Sequence, residues 1–337
     1  MTPPLLDILI PAYKIRYLGR TLESLARQTD VRFSLFVFDD ASPEAVETAI
    51  APYRTRLNLR YHRFAENLGG RHLGLHYNRC VERSQAPWVW LIADDDLAGP
   101  ECVAAFYRRL EAGAQADVLR FDAVLIDEHE RCLRVLPPQP AGETSAEFVL
   151  QRCRRQRWNF LSNHIFSRAA FDREGGFIDF PLGWHSDDAS WTAFARLTGF
   201  AAIEGARVSW RLSSDHISGR TDRESCLQKA MASFQYHAWL TRFLTDMPGI
   251  AAQEARAALP RYLDSQLFIT AAPAYLDNVI RLARPYAAAR HTGWLRAAVI
   301  LGVLGGARRC YDWLIPIRAW TSARRPSGPH PGMPEAT

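Results

Sequence analysis

Three adjacent carboxylates, Asp94, Asp95 and Asp96, follow an uncharged run of mostly large side chains from Trp88 to Ala93. Such a run reads as a strand buried on both faces, so the acids fall at its C-terminal end. Neighbouring carboxylates repel one another unless a cation neutralises them, and ligands of open α/β sheets bind at that edge. An oxygen-only donor set suits a hard divalent ion, Mg2+ or Mn2+, held by one or two carboxylates plus substrate phosphates. A second acidic pair, Asp39-Asp40, closes another apolar stretch, and a third, Asp187-Asp188, follows Trp184-His185-Ser186. The plainer alternative for each is an acidic helix start, where negative charge meets the positive end of the helix dipole.

The elements that must position these acids follow from the apolar pattern. Strands are expected at Leu5 to Tyr13, Phe33 to Phe38, Leu57 to Phe64 and from Trp88, with helices between them, one over Tyr17, Leu18, Thr21, Leu22 and Leu25 and another from His72 to Ser84. Ser42 is suited to cap a helix with Pro43 at its first position. Alternation of this kind predicts an α/β fold with a doubly wound, mostly parallel sheet. A helix from Glu101 to Glu111, a strand from Val118 to Ile126, an excursion near Glu130 to Leu136, a helix from Thr144 to Arg157 and strands at Phe160 to Ser167 and Ala201 to Leu212 complete this part. Ser186 reads as the cap of a helix with Asp187 and Asp188 in its first turn. Beyond Asp222 the pattern is helical throughout, with Pro248, Pro260, Pro273 and Pro285 as punctuation.

Composition narrows the class. The 337 residues are 48% apolar and carry a net charge of +5, but from Arg281 onward nine arginines stand against only Asp312 and Glu335. The main part is therefore slightly acidic, which argues against a nucleic-acid footprint there. Six scattered cysteines show no disulfide or zinc spacing, and the N-terminus has no signal-peptide pattern, so a cytosolic main domain is expected. The turn after the first strand is Pro11-Ala12-Tyr13, where a dinucleotide fingerprint would need Gly-x-Gly-x-x-Gly, and no Walker-type loop is present.

Taken in order, Pro11-Ala12-Tyr13, Thr21-Leu22-Glu23-Ser24-Leu25 with Gln28-Thr29, Asp39-Asp40-Ala-Ser-Pro, Glu66-Asn67-Leu68-Gly69-Gly70, the 94 to 96 acids and Asp187-Asp188 resemble family-two glycosyltransferases of GT-A fold over roughly residues 5 to 220. The resemblance implies an inverting transfer from a nucleotide-sugar donor (UDP-, GDP- or dTDP-linked), assisted by a divalent metal. It implies donor contacts from Pro11, Ala12, Tyr13, Asp40, Asp94 and Asp95, with Arg71 after the Gly-Gly turn as a further candidate. Asp39 is equally suited to a structural role. The metal ligands implied are Asp94 and Asp96, with Asp95 as rival and His216 as a third. Asp188 is the general base by position, with Asp187 as rival, and Trp184 and His185 are acceptor contacts. Where the family often has Asp-x-Asp-Asp, position 93 is Ala. Gln156-Arg157-Trp158 has the wrong spacing and order for the Gln-x-x-Arg-Trp of processive synthases, which favours addition of one sugar.

The expected organisation is a GT-A part over 1–220, with a nucleotide-sugar half to about 100 and an acceptor half from 101, then a helical region over 221–323 and a disordered tail over 324–337. The uncharged run from Ala297 to Ala307 is well short of the ~20 residues that cross a bilayer. With Trp294, Trp313, Trp320 and flanking arginines it suits a helix pair lying on an anionic membrane surface, the alternative being a packed helix. Together these place the protein on the cytoplasmic face of the inner membrane, acting on a glycan or lipid-linked acceptor of cell-envelope polysaccharide synthesis. The rivals are a metal-dependent nucleotidyltransferase, which needs a Gly-rich loop after its first strand, and a non-catalytic scaffold, against which the acids at 40, 94 to 96 and 188 argue.

Overall fold

The structure is a computed structural model that describes residues 4–113, 115–213 and 219–322, those from 312 onward as helix backbone only. His216, the side chains of Trp313 and Trp320, and the 324–337 tail lie outside the described residues. One mixed sheet runs through the first two thirds of the chain. Its first half comprises β1 (Leu6–Ala12), β2 (Phe33–Asp39), β3 (Leu59–Arg63) and β4 (Trp88–Leu91), all parallel in the order β3-β2-β1-β4. β1 and β2 are buried almost throughout because helices cover both faces. Ile8 and Ile10 enter a core shared with Leu18 and Leu22 of α1 (Leu18–Ala26) and Phe106 of α4 (Cys102–Glu111). Leu9 enters the opposite core with Tyr77 of α3 (Leu73–Val81), Phe166 and Trp191.

Beyond β4 the sheet departs from the parallel reading. β9 (His164–Ser167) lies antiparallel between β4 and β6 (Val118–Ile126), and β10 (Phe200–Arg211) then runs parallel to β6. The short strands β5 (Leu97–Ala98), β7 (Cys132–Val135) and β8 (Gly142–Glu143) pair antiparallel with β10, β6 and β10. The excursion at 130–136 is thus one hairpin arm added to β6.

Two expected caps are corrected. The helix after β2, α2 (Val46–Ile50), starts three residues after Pro43. Ser42 instead donates its hydroxyl to the Tyr13 carbonyl (2.5 Å) and accepts from the Glu44 amide (3.0 Å), tying the β2 turn to the β1 turn. α7 (Ser186–Phe194) has His185 at its cap position, and Ser186 Oγ accepts from the Phe180 amide. Asp187 and Asp188 occupy the first turn of α7 as expected.

Helices α5 (Ser145–Cys153) and α6 (Arg168–Glu174) flank β9, α5 opening with a capping box between Thr144 and Glu147. The C-terminal part comprises α8 (Arg223–Thr245), α9 (Ile250–Ile269), α10 (Leu276–Ala289) and α11 (Trp294–Ser322). Pro260 and Pro285 lie inside α9 and α10 and do not end them. Val149 and Leu150 of α5 and Ala189 of α7 share a core with Tyr236 and Leu240 of α8 and with Leu259 and Tyr262 of α9, so these helices are fused to the sheet layer. Ala297 and Leu301 of α11 are buried against α10, while Trp294, Leu295, Val299 and Val303 are more than 60% exposed.

Candidate active site

Between β1 and β4 the strand order reverses, the switch point at which open α/β sheets bind ligands beyond their strand ends. Asp94 sits there. Its Oδ2 accepts from the amides of Tyr13 (2.9 Å) and Lys14 (3.0 Å), locking the turn after β4 to the turn after β1. A cavity of about 730 Å3 opens at this point, lined by Pro11, Ala12, Tyr13, Lys14, Asp40, Asp94 and Asp95 on the sheet side. Burial and the neighbouring Asp95 push the Asp94 carboxyl up to about 6, against the pull of the two amides and of Lys14.

Asp96 does not belong to this wall. It is 1% exposed, accepts from Ser162 Oγ (2.5 Å) and the Arg211 amide (2.9 Å), and does not line the cavity. Burial in first place, and Asp95 in second, raise its pKa well above the carboxylate range. Of the pairings expected for the metal, only Asp94 with Asp95 has both members lining the cavity. The role of Asp96 is mechanical: Ser162 Oγ also accepts from the Ala93 amide, and Arg211 Nε donates to the Asp95 carbonyl, so both ends of the acidic turn are pinned.

Asp40 lines the cavity but is heavily committed. It accepts from the amides of Leu68 (3.0 Å) and Gly69 (2.8 Å), from Asn67 Nδ2 (2.7 Å) and from Arg79. A Cβ on residue 69 would stand 2.8 Å from Asp40 Oδ2, which explains the glycine. Arg71, expected to reach the donor, is exposed and does not line the cavity. Arg79, four residues after Leu75 on α3 and unmarked by any motif, is the arginine that meets Asp40. Asp39 is fully buried among Ser42, Tyr61 and Arg63, a structural role.

The second wall is built from the start of α7 and its surroundings. Leu182, Gly183 and His185 all have positive φ, a strained turn that packs Gly183 against Leu73 so closely that a Cβ would meet it at 2.6 Å. Asp188 is 3% exposed and fully engaged: Oδ1 accepts from Asn159 Nδ2 (2.9 Å), and Oδ2 from Arg152 Nη2 (2.8 Å), with His185 Nδ1 at 3.2 Å. Burial opposes its ionisation, but Arg152 and His185 outweigh it and hold the carboxyl far below the usual range. Asp187 is half-buried and lines the cavity, as Asp188 does. Burial first, then the charge of Asp188, push Asp187 up to about 7.

Trp184 lines the cavity. His185 also lines the cavity but is 6% exposed, with its Nε2 3.2 Å from Ser233 Oγ and its ring stacked on Tyr236 at 4.6 Å. Arg157 and Trp158, set aside in the sequence, do face the cavity, as do Arg152, Asn159 and, from α9, Tyr262 and Gln266. Arg152, Asn159 and α9 had no motif to announce them. The two walls line one cavity, which Tyr77 of α3 lines as well.

Among the described residues no three His, Cys, Asp or Glu side chains converge as a complete metal cage. Asp94 and Asp95 nevertheless fit a hard divalent ion. Both line the cavity, the charge of Asp95 adds to burial in raising Asp94, and a diphosphate would supply the remaining ligands.

Residues 7–174 match glycosyl transferase family 2. Residues 1–349 of S. aureus TarS in complex with UDP-GlcNAc superpose with a TM-score of 0.62 at 14% identity, over 88% of this chain and 90% of that one. The mannosyltransferase PcManGT from Pyrobaculum calidifontis, in complex with GDP-Man and Mn2+, gives a TM-score of 0.54 at 19% identity, over 96% of this chain and 84% of the other. At such identities the likeness concerns the fold. No curated protein matches the sequence. The match in sequence, the sheet with its switch-point acids and the shared architecture lead to one conclusion: the chain belongs to glycosyl transferase family 2 and is a glycosyltransferase of GT-A fold.

Proposed function

We propose that the enzyme moves one sugar from a nucleoside-diphosphate sugar to a lipid-linked or surface-polysaccharide precursor, with inversion and with the help of Mg2+ or Mn2+. The observation that carries this reading is the presence of two different acidic pairs in one cavity. The nucleotides bound by TarS and PcManGT in their complexes support such a donor. We assign residues 1–220 to the transferase part and 221–323 to the helical region that packs on it.

The turn Pro11-Ala12-Tyr13, with Asp40 holding the Asn67-Gly69 turn opposite, frames the nucleoside. Asp94 and Asp95 would hold the divalent ion, and Lys14 adds positive charge on the same wall. When bound there, the ion neutralises charge that develops on the departing diphosphate. On the other wall Asp187 accepts the proton of the acceptor hydroxyl as its oxygen bonds to the anomeric carbon. The bond from that carbon to the diphosphate oxygen breaks at the same time, and the nucleoside diphosphate departs with the bonding pair. Asp187 suits this task better than Asp188, since its carboxylate is open to the cavity and holds a proton near neutrality, whereas Asp188 is tied to Arg152. Asp188 serves as the anchor that fixes Arg152, Asn159 and His185.

Location at the cytoplasmic face of the inner membrane belongs to the same reading. Among the described residues no helix is long and apolar enough to cross a membrane. The exposed faces of α10 (Leu276, Ile280) and α11 (Trp294, Leu295, Val299, Val303) suit a helix pair resting on one. The test is a nucleotide-sugar panel assayed for hydrolysis and transfer with and without Mn2+, the anomeric configuration of the product being read by NMR. Absence of turnover with every donor, or a retained configuration, overturns the proposal.

A further inference from the structure

Five buried side-chain polar atoms on residues lining the cavity have no hydrogen-bond partner within the protein: Arg152 Nε, Arg157 Nε, Asn159 Oδ1, Trp184 Nε1 and Tyr262 Oη. Buried polar groups are nearly always paired, and leaving one unmade costs more than making it gains, so five around one cavity call for a ligand. They are all on the wall of Asp187. Asn159 spends its amide nitrogen on Asp187 and Asp188 and keeps its oxygen unpaired beside them. Tyr262 is 4% exposed, and among the charges acting on its hydroxyl are Arg152, Asp188 and Asp187. It belongs to α9, more than seventy positions along the chain from the acids it faces.

We propose that α9 of the C-terminal helical region completes the acceptor subsite, with Tyr262, Gln266, Trp184, Asn159 and Arg157 binding an oxygen-rich acceptor next to Asp187. Tyr262 donates to a hydroxyl or ring oxygen of the acceptor, Trp184 and the two arginines supply further N–H donors, and Asn159 Oδ1 receives a hydroxyl proton. Arg152 and Arg157 are paired with Asp188 and Glu143, but the exposed Arg155 and Arg220 also line the cavity, so the class favoured is a glycan or polyol carrying a phosphate or carboxylate. Asp94, Asp95 and the β1 turn have no part in this set, which separates acceptor recognition from donor binding. The helical region is thereby part of the specificity of the enzyme and more than an appendage to it.

The inference rests on the glycosyl-transfer reading, and the experiment keeps the two apart. The full-length chain is assayed with the nucleotide-sugar panel and Mn2+, using methyl hexopyranosides and their 6-phosphates as soluble acceptors. Tyr262→Phe and Gln266→Ala are compared with the unaltered chain for the KM of each substrate. Loss of one hydrogen bond of this kind is worth roughly three- to tenfold, so the acceptor KM should rise by that factor in each variant while the nucleotide-sugar KM stays within about twofold. Tyr262→Phe removes an unpaired hydroxyl from a buried place and should leave thermal stability unchanged or raised, so a folding defect does not confuse the result. The 6-phosphates should be used better than the neutral glycosides. Unchanged acceptor KM in both variants, a parallel rise in donor KM, or preference for the neutral acceptors overturns the subsite as described. No turnover of any nucleotide sugar by the unaltered chain overturns the transfer reading and takes this inference with it.

Discussion

The two acidic walls of the cavity are built by opposite means. Asp94 and Asp95 follow β4 and are fastened through backbone groups, the Tyr13 and Lys14 amides donating to the Asp94 carboxylate and the Asp95 carbonyl accepting from Arg211. Asp187 and Asp188 draw on side chains gathered from distant segments: Arg152 from α5, Asn159 from the loop after it, and His185 backed by Ser233 of α8. The electrostatics differ accordingly. In the first pair burial and mutual repulsion raise Asp94 to about 6. In the second, Arg152 keeps Asp188 ionised, and Asp187, buried beside that fixed charge, rises to about 7. Adjacent carboxylates of which one raises the other are suited to share a cation, whereas a pair with one member neutralised by arginine leaves the other to exchange a proton.

The hardest blow to this contrast is Asp187→Asn. It removes the proton acceptor while keeping its shape, and turnover should fall by roughly 100- to 10,000-fold with donor KM little changed. In the unaltered enzyme kcat/KM should climb as pH passes about 7, because the carboxylate works only after losing its proton. If Asp187→Asn keeps near-normal turnover and Asp188→Asn loses it, the base is Asp188 and the assignment here is reversed.

Asp188→Asn should act differently. Arg152, mostly buried, loses its charged partner, at a cost of about 3 kcal/mol in folding stability by denaturant unfolding. The charge that raises Asp187 is also gone, so whatever activity remains should have its pH midpoint displaced downward. An unmoved midpoint would mean that burial alone sets the proton affinity of Asp187.

On the sheet wall the three acids should part company. Asp94→Asn and Asp95→Asn should weaken Mn2+-dependent donor binding, read by calorimetry, by at least the roughly 10- to 100-fold that even indirect metal partners contribute. Asp96→Asn should keep that metal dependence, because its carboxyl faces Ser162 and Arg211 and not the cavity. Equal donor affinity in the presence of a chelator would remove the metal from the sheet wall altogether.

The same contrast explains what could be read in the sequence. β1, β2 and β4 are short apolar runs ending in Pro11, Asp39-Asp40 and Asp94-Asp95-Asp96, so both the sheet and its acidic edge are local features. The choice between Asp95 and Asp96 was not local. It depends on Ser162 and Arg211, which arrive from β9's approach and from β10 and turn Asp96 inward. The antiparallel insertion of β9 was equally hidden, since a four-residue buried strand has no direction written in it. On the other wall, Asp187-Asp188 was visible as a helix start, but Arg152, Asn159 and Tyr262 are ordinary residues until the α5 and α9 packing brings them together. Asp188 is favoured as base by its position alone, and its pairing with Arg152 is what the proposal for Asp187 rests on.

The smallest effect concerns how an acceptor reaches the second wall. α9 carries Tyr262 into the cavity, and α11 packs against α9 with Leu295, Val299 and Val303 facing outward at four-residue spacing and Arg296 exposed beside them. If the acceptor is lipid-linked and the exposed face of α11 meets the membrane, the acceptor wall is the one mechanically joined to that helix. Full-length protein should then float with vesicles containing anionic lipid, and Arg296→Gln should weaken that partition by about 1 kcal/mol, or roughly fivefold, an effect that salt should erase. Val299→Ser and Val303→Ser should weaken it on neutral vesicles too, because what they remove is inserted apolar surface. Transfer to a vesicle-borne acceptor should fall in step with flotation, while transfer to a soluble acceptor should not, since none of these residues lines the cavity. Failure to float on either kind of vesicle would make the exposed face of α10 and α11 a contact for another protein, and would leave the two walls distinguished by their chemistry but not by their place in the cell.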